Sequence, residues 1–281
     1  MSTKDNEMKN EELKMEEVKT DEVKTEEKKE VHKTRTTGRT KTKTSKEVKA
    51  NDKKYSERKK NNNGGKGLKK EKTSKLKIIP LGGLEQIGMN ITAFEYEDSI
   101  IVVDCGLSFP EDDMYGIDLV IPDVTYLKDN IDKVKGFFIT HGHEDHIGAI
   151  PYVLKEVNVP IYATKLTIGI IEHKLKEHNM LTKVKRKVVK YGQHINLGCF
   201  RVEFIKTNHS IQDAAALAIY SPAGIVVHTG DFKVDYTPVF GDAIDLQRFG
   251  EIGKKGVLAL LCDSTNAERP GFTMSERTVG K

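Results

Sequence analysis

Thr140-His141-Gly142-His143-Glu144-Asp145-His146-Ile147-Gly148 sets three histidines and two carboxylates within six consecutive residues, 141–146. Imidazole and carboxylate are donors that zinc accepts, and a site that keeps one position open to water is catalytic rather than structural. The apolar stretch 135–140 in front of them reads as a short buried strand, so the donors leave its carboxyl end. Alternate residues of an extended chain point the same way, which lets His141 and His143 grip one ion. A turn into a helix near Asp145 then lets Asp145 and His146 reach a second. The alternative, a solvated polar turn with incidental histidines, leaves this density of donors unexplained.

Two ions need more ligands, and the chain supplies candidates at the ends of other apolar runs. His209 follows the strand-like stretch 200–205, and Asp231 follows 224–227 within His228-Thr229-Gly230-Asp231. Asp104 ends Ile100-Ile101-Val102-Val103 in the same manner. A carboxylate there is placed to orient a ligand histidine from behind, which is how ligand imidazoles are usually fixed. Of the other histidines, His173 and His178 fall in a Lys/Glu-rich helix and His194 in a turn near Gly192, all expected on the surface. His32 belongs to the N-terminal tail, and His228 is expected to shape the site rather than bind. Glu144, between ligands, is read as a supporting group, with a simply exposed side chain as the alternative.

HGHEDH, a lone later histidine, HTGD and a preceding Asp-Cys-Gly strand end together resemble the motif series of the metallo-β-lactamase superfamily. Further stretches resemble its β-CASP ribonucleases: residues 82–90 (GGLEQIGMN), 109–112 with 116–118, 173–181 (HKLKEHNML), and 263–266 through 274–277. The likeness runs over residues 76–281. It implies an α/β fold, an αββα sandwich with its metals at one edge, incomplete at the C-terminus. It further implies that His141, His143 and His209 hold one ion, that Asp145 and His146 hold the other, and that Asp231 bridges them. Asp263 matches an acidic residue beside the metal centre, and Asp104 matches a supporting motif. Two divalent ions are implied, zinc foremost and manganese next.

The implied activity is hydrolysis of RNA phosphodiesters, both 5′→3′ exonucleolytic and endonucleolytic, in messenger decay and ribosomal RNA maturation. Departure of the ribose 3′-oxygen leaves a 5′-phosphate end. RNA is the implied partner, with homo-oligomers in the full-length family. The family also carries a final ligand histidine in strands that return after its inserted domain. No histidine follows Asp231 here, so that ligand is expected outside this sequence. Two rival readings share the ligand set: a hydrolase of thioesters or lactones, and an inactive RNA-binding fragment.

Composition divides the chain near residue 75. Residues 1–75 carry 24 basic and 15 acidic side chains, a net of +9, whereas 76–281 carry 22 and 27, a net of −5. Within the tail, residues 31–75 reach +13 with 17 basic and 4 acidic side chains. Few large apolar residues precede Leu76, too few to offset the entropy of ordering, so 1–75 is expected to be a disordered arm. Such an arm neutralises phosphates without reading sequence. Residues 76–265 are expected to form the metallo-β-lactamase domain, and 266–281 to begin a β-CASP domain.

No run approaches a membrane span, and no glycine-rich loop of Walker type occurs. Cys105, Cys199 and Cys262 stand singly in apolar runs, expected as buried free thiols in a reducing cytoplasm. Apolar patterning places strands near 77–81, 91–96, 100–104, 136–140, 200–205, 216–220, 224–228 and 257–262, mostly as hairpin neighbours. It places helices over 147–156 and 166–178.

Overall fold

The computed structural model describes residues 74–279. Apart from its last two residues, the expected basic arm lies outside the described residues.

Two sheets form the centre. The first runs β1 (Lys77–Gly82), β2 (Ile91–Tyr96), β3 (Ser99–Val103), β4 (Val134–Phe138), β5 (Ile161–Ala163) and β6 (Arg186–Val188), in that spatial order. The second is ordered β11-β10-β9-β8-β7, from β7 (His194–Leu197), β8 (Phe200–Lys206), β9 (Ala215–Ser221), β10 (Gly224–His228) and β11 (Ala259–Leu261). The hairpin expectation is met for β1–β2–β3 and β7–β8–β9–β10, all antiparallel. Among the expected strands it does not extend to β3–β4 and β10–β11, which are parallel, as are β4–β5 and β5–β6, whose strands β5 and β6 were not expected. Parallel neighbours need crossovers, and helices supply them. These are α1 (Thr125–Asp129), α2 (Glu144–Ile147), α3 (Ile150–Val153), α4 (Lys165–Glu177) and α5 (Leu246–Gly253).

Alternation along the strands assigns the layers. Ile100 and Val102 pack with Leu127, Ile147, Ile150, Ile171 and Leu175 of the helices, whereas Ile101 and Val103 pack with Phe138, Phe204, Leu217 and Val226 between the sheets. Across the second sheet, Ile205, Ala216, Ala218 and Val227 meet Phe249 and Ile252 of α5. Four layers result, helices–sheet–sheet–helix, which is the αββα sandwich expected. Central strands buried on both faces are continuous apolar runs, as sheets covered on both sides require.

Two buried carboxylates anchor the outer layers. Glu95 of β2 receives Lys77, Lys133 and the Tyr126 hydroxyl; burial works against its charge, but these donors prevail and hold its pKa at about 2. Glu203 of β8 accepts a bidentate pair from Arg248 of α5 at 2.7 and 2.9 Å, with Tyr220 at 3.0 Å. His194 is thereby corrected: it begins β7, and its Nε2 lies 3.1 Å from Glu203 rather than in a solvated turn. The cysteine expectation is corrected in part. All three thiols are free, yet only Cys105 is buried; Cys199 is half-buried and Cys262 exposed.

The directions of the strands place the site. β3 and β4 run parallel, and so do β8, β10 and β11 through their pairing with β9 and each other. Residues following these strands therefore collect at the edge of the sandwich.

Candidate metal centre

Asp104 leaves β3 in the left-handed region at φ 60°, a conformation that Asp tolerates better than most side chains. Its buried carboxylate accepts from the Thr140 backbone N–H at 2.8 Å and from the Thr140 hydroxyl at 2.9 Å, and faces His146 Nδ1 at 2.8 Å. The Thr140 hydroxyl, spent on Asp104, faces His141 Nδ1 at 3.0 Å as an acceptor. Both imidazoles thus carry hydrogen on Nδ1 and turn Nε2 inward, an assignment that follows from the hydrogen-bond network. Asp104 thus lies behind the His146 imidazole, on the side away from its Nε2.

The inward atoms form two groups: His141, His143 and His209; and His141, His146 and Asp231, with donor atoms in each within 4.8 Å of one another. In the first, His143 Nδ1 lies 3.1 Å from both His141 Nε2 and His209 Nε2. Asp231 reaches both ends of the cluster, with Oδ1 at 3.2 Å from His146 Nε2 and Oδ2 at 3.9 and 3.6 Å from His141 and His209 Nε2. Asp145 Oδ2 stands 3.5 Å from His146 Nε2. Ligands of a tetrahedral zinc at bond lengths of about 2.0–2.1 Å stand roughly 3.3–3.4 Å apart, and the separations here, 3.1–3.9 Å, bracket that spacing. All six residues expected as ligands are brought together.

Close backbone approaches enforce the arrangement. A Cβ on Gly106 would lie 1.6 Å from the Asp145 carbonyl oxygen, so only glycine lets the loop after β3 pass the ligand segment. Gly230, at φ 56°, sits where a Cβ would meet the Thr140 side chain at 2.8 Å, which seats the turn carrying Asp231 against β4's end.

Electrostatics separates the donors. Burial pushes the His141 pKa down to about 3, so that imidazole is neutral at pH 7 and has a lone pair to give. His209 is lowered for the same reason. Burial also disfavours charge on His146, but the Asp104 carboxylate, helped by Asp145 and Asp231, outweighs it and raises its pKa well above the ordinary value. Burial opposes ionisation of Asp231, yet His146 and the neighbouring imidazoles hold it far below the usual carboxylate range. The neutral His141 and His209 imidazoles, each with Nε2 3.1 Å from His143 Nδ1 and near an ionised Asp231, make a donor set that fits divalent cations; ligand imidazoles must be unprotonated, and cation uptake releases protons.

The remaining candidates fall outside this set. Asp263 follows β11, but its carboxylate accepts from Thr265 N and Oγ1 at 2.9 and 2.7 Å, capping its own turn. Its backbone N–H donates to Thr229 Oγ1, so it braces the Asp231 turn. Glu144 pairs with Lys174 at 2.7 Å, His173 with Glu177, and His178 stands edge-on to Tyr152. His228 Nδ1 accepts from Gly230 N–H, shaping the turn as expected. His32 lies outside the described residues. Thr140 as an orienting group was not legible in the sequence, because its role depends on Asp104, which is 36 residues away.

Fold and donor set define the class, and residues 88–250 match the metallo-beta-lactamase superfamily, to which the chain belongs. Within it the chain is similar to Ribonuclease J of Synechocystis sp., 51% identical over 213 residues, covering 75% of this chain and 33% of that protein. Ribonuclease J 1 of Streptococcus pyogenes is 49% identical over 210 residues, and Ribonuclease J2 of Bacillus subtilis 43% over 212, each covering 75% of this chain. The chain spans 33–38% of the length of these curated relatives. A solved protein of unknown function from Enterococcus faecalis shares the fold at a TM-score of 0.53 and 19% identity, covering 72% of this chain and 52% of its own. No helix among the described residues is long and apolar enough to cross a membrane.

Proposed function

We propose that this chain carries the metal centre of a ribonuclease that hydrolyses RNA phosphodiesters with two divalent ions, zinc or in its place manganese. The observation behind this reading is the convergence of five His and Asp donors at one sandwich edge, with Asp145 beside them, in a chain about half identical over 75% of its length to proteins named Ribonuclease J. His141, His143 and His209 would hold one ion, Asp145 and His146 the other, and Asp231 both. When bound, such ions supply Lewis acidity toward phosphoryl oxygens and a water acidic near neutral pH.

The chain's own residues set the stage for that chemistry. Asp104 and Thr140 fix the His141 and His146 tautomers, and Asp231 stays ionised next to three imidazoles, those of His141, His146 and His209. Hydrolysis in which the ribose 3′-oxygen departs leaves 5′-phosphate ends, and the reading includes both 5′→3′ exonucleolytic and internal cleavage, in messenger decay and ribosomal RNA maturation. Asp263 takes its place as an acidic residue at the rim. Residues 76–265 constitute the metallo-β-lactamase part and 266–281 the beginning of a β-CASP part. The +13 sequence of residues 31–75 is suited to neutralising RNA phosphates. Three unpaired cysteines favour a cytoplasmic setting.

The test is cleavage of 5′-labelled monophosphate RNA by the 281-residue chain with Zn2+ or Mn2+, beside thioester and lactone substrates. Cleavage lost in His141→Ala and Asp145→Ala supports the reading. Thioester or lactone turnover without RNA cleavage would replace it with the smaller-substrate hydrolase.

A further inference from the structure

We infer that Asn90 is a positioning residue for the second metal position, a role that rests on the two-ion reading above. Asn90 begins no motif of metal donors, and it sits 55 residues before the carboxylate it serves. Its backbone N–H donates to the Asp145 carbonyl oxygen at 3.0 Å, and its side-chain Nδ2 reaches the same oxygen at 3.2 Å. Nδ2 also lies 3.3 Å from Asp145 Oδ2 and 3.1 Å from His146 Nε2. The Asp145 carbonyl and carboxylate oxygens are acceptors only, which fixes the carboxamide with its nitrogen toward them. Asn90 therefore grips both the main chain and the side chain of one ligand, beside the inward nitrogen of the next.

The surrounding chain is built to deliver this contact. Met89, just before it, is held at φ 50°, and Glu85 at φ 57°, in the left-handed region where a non-glycine side chain costs energy. Gly83, at φ 79°, is approached by Asn90 so closely that a Cβ there would lie 2.7 Å from Asn90 Oδ1. On the other side Gly106 N–H donates to the Asn90 carbonyl, in the same place where Gly106 passes the Asp145 carbonyl. Three segments, the loop before β2, the loop after β3 and the start of α2, thus meet at Asn90. Without the side chain, Asp145 Oδ2 loses its Asn90 donor and keeps only the more distant His146 Nε2 at 3.5 Å. The donors facing His141, His143 and His209 are untouched by this change.

That asymmetry gives the test. The 281-residue chain, stripped with chelator, is titrated with Co2+, and the two binding steps are followed by visible absorption and by chelator competition. Partners that orient ligands typically contribute 10–100-fold in metal affinity. Asn90→Ala is expected to weaken the second step by about that factor and leave the first unchanged, which also shows that the variant is folded. Asn90→Asp has oxygen but no donor. It is expected to weaken the second step as well, whereas an Asn90 acting as a direct oxygen ligand would make it tighter. Equal loss at both steps, no loss at either, or tighter binding in Asn90→Asp overturns the positioning role. If the unaltered chain takes up only one Co2+, the two-ion reading itself fails, and the role of Asn90 falls with it.

Discussion

Replacing Asp104 with Asn isolates the charge behind the metal centre. Asn tolerates the left-handed φ of 60° found there, so the backbone cost is held constant. Its carbonyl oxygen can still accept from Thr140 N–H, now at 2.8 Å. What disappears is the charge-assisted contact at 2.8 Å to His146 Nδ1, between two groups that are 1% and 2% exposed. Hydrogen bonds to charged partners contribute about 1.5–3 kcal/mol, and their loss is predicted to destabilise the metal-free chain by that amount. For a folded part of this size that corresponds to roughly 3–12 °C in Tm. The sign with pH follows from the raised His146 pKa. A base whose pKa is raised on folding contributes stability that is full below its ordinary value and fades as pH rises through the raised one. Urea unfolding in chelator should therefore show the largest deficit below about pH 6.5 and a shrinking one in alkali. A variant as stable as the parent at pH 6, or a deficit that grows with pH, would refute the assignment of Asp104 as counter-charge to His146.

Other perturbations test separate parts of the account. Gly106→Ala puts a methyl 1.6 Å from the Asp145 carbonyl oxygen and is predicted to cost more than about 3 kcal/mol, read as failure to fold or a collapsed melting transition. The metal-free chain should lose stability as pH falls below about 6.5, because the unfolded His141 then takes up a proton that the folded one, with its pKa at about 3, refuses; that single group contributes about 2 kcal/mol by pH 5, measured by urea titration. Arg248→Ala strands the buried Glu203 carboxylate and should destabilise by about 3–5 kcal/mol, against a smaller loss in the Arg248→Met, Glu203→Gln double variant. Thiol titration of the native chain should find Cys262 reacting first and Cys105, buried with its pKa pushed far up, reacting only on unfolding.

The six donors and the central strands were legible because each signal is local. His141 to His146 lie within one short segment, and strands such as Ile100–Val103, buried on both faces, spell uninterrupted apolar runs. β6, with the sequence RKV, and the edge strand β7 were not legible, since a short edge strand has no buried face to impose a pattern. The helix expected over 147–156 is instead α2 and α3, divided at Gly148-Ala149 just before Pro151. α5 escaped notice because Gly250 and Gly253 dilute its helical signal, while what holds it is Arg248 on Glu203, a contact from another element. Parallel pairing was equally hidden: nothing in the residues of β10 and β11 distinguishes a hairpin from a crossover. Asn90 and Thr140 belong to the same category, polar residues of common type whose partners exist only after folding.

The central claim is that two divalent ions share Asp231, and anomalous diffraction from a crystal of the zinc-loaded chain addresses it most directly. Two peaks are expected, one within about 2.3 Å of donor atoms from His141, His143 and His209, the other equally close to Asp145 and His146, with one Asp231 oxygen on each. A single peak, or two peaks that leave Asp231 uncoordinated, would contradict it.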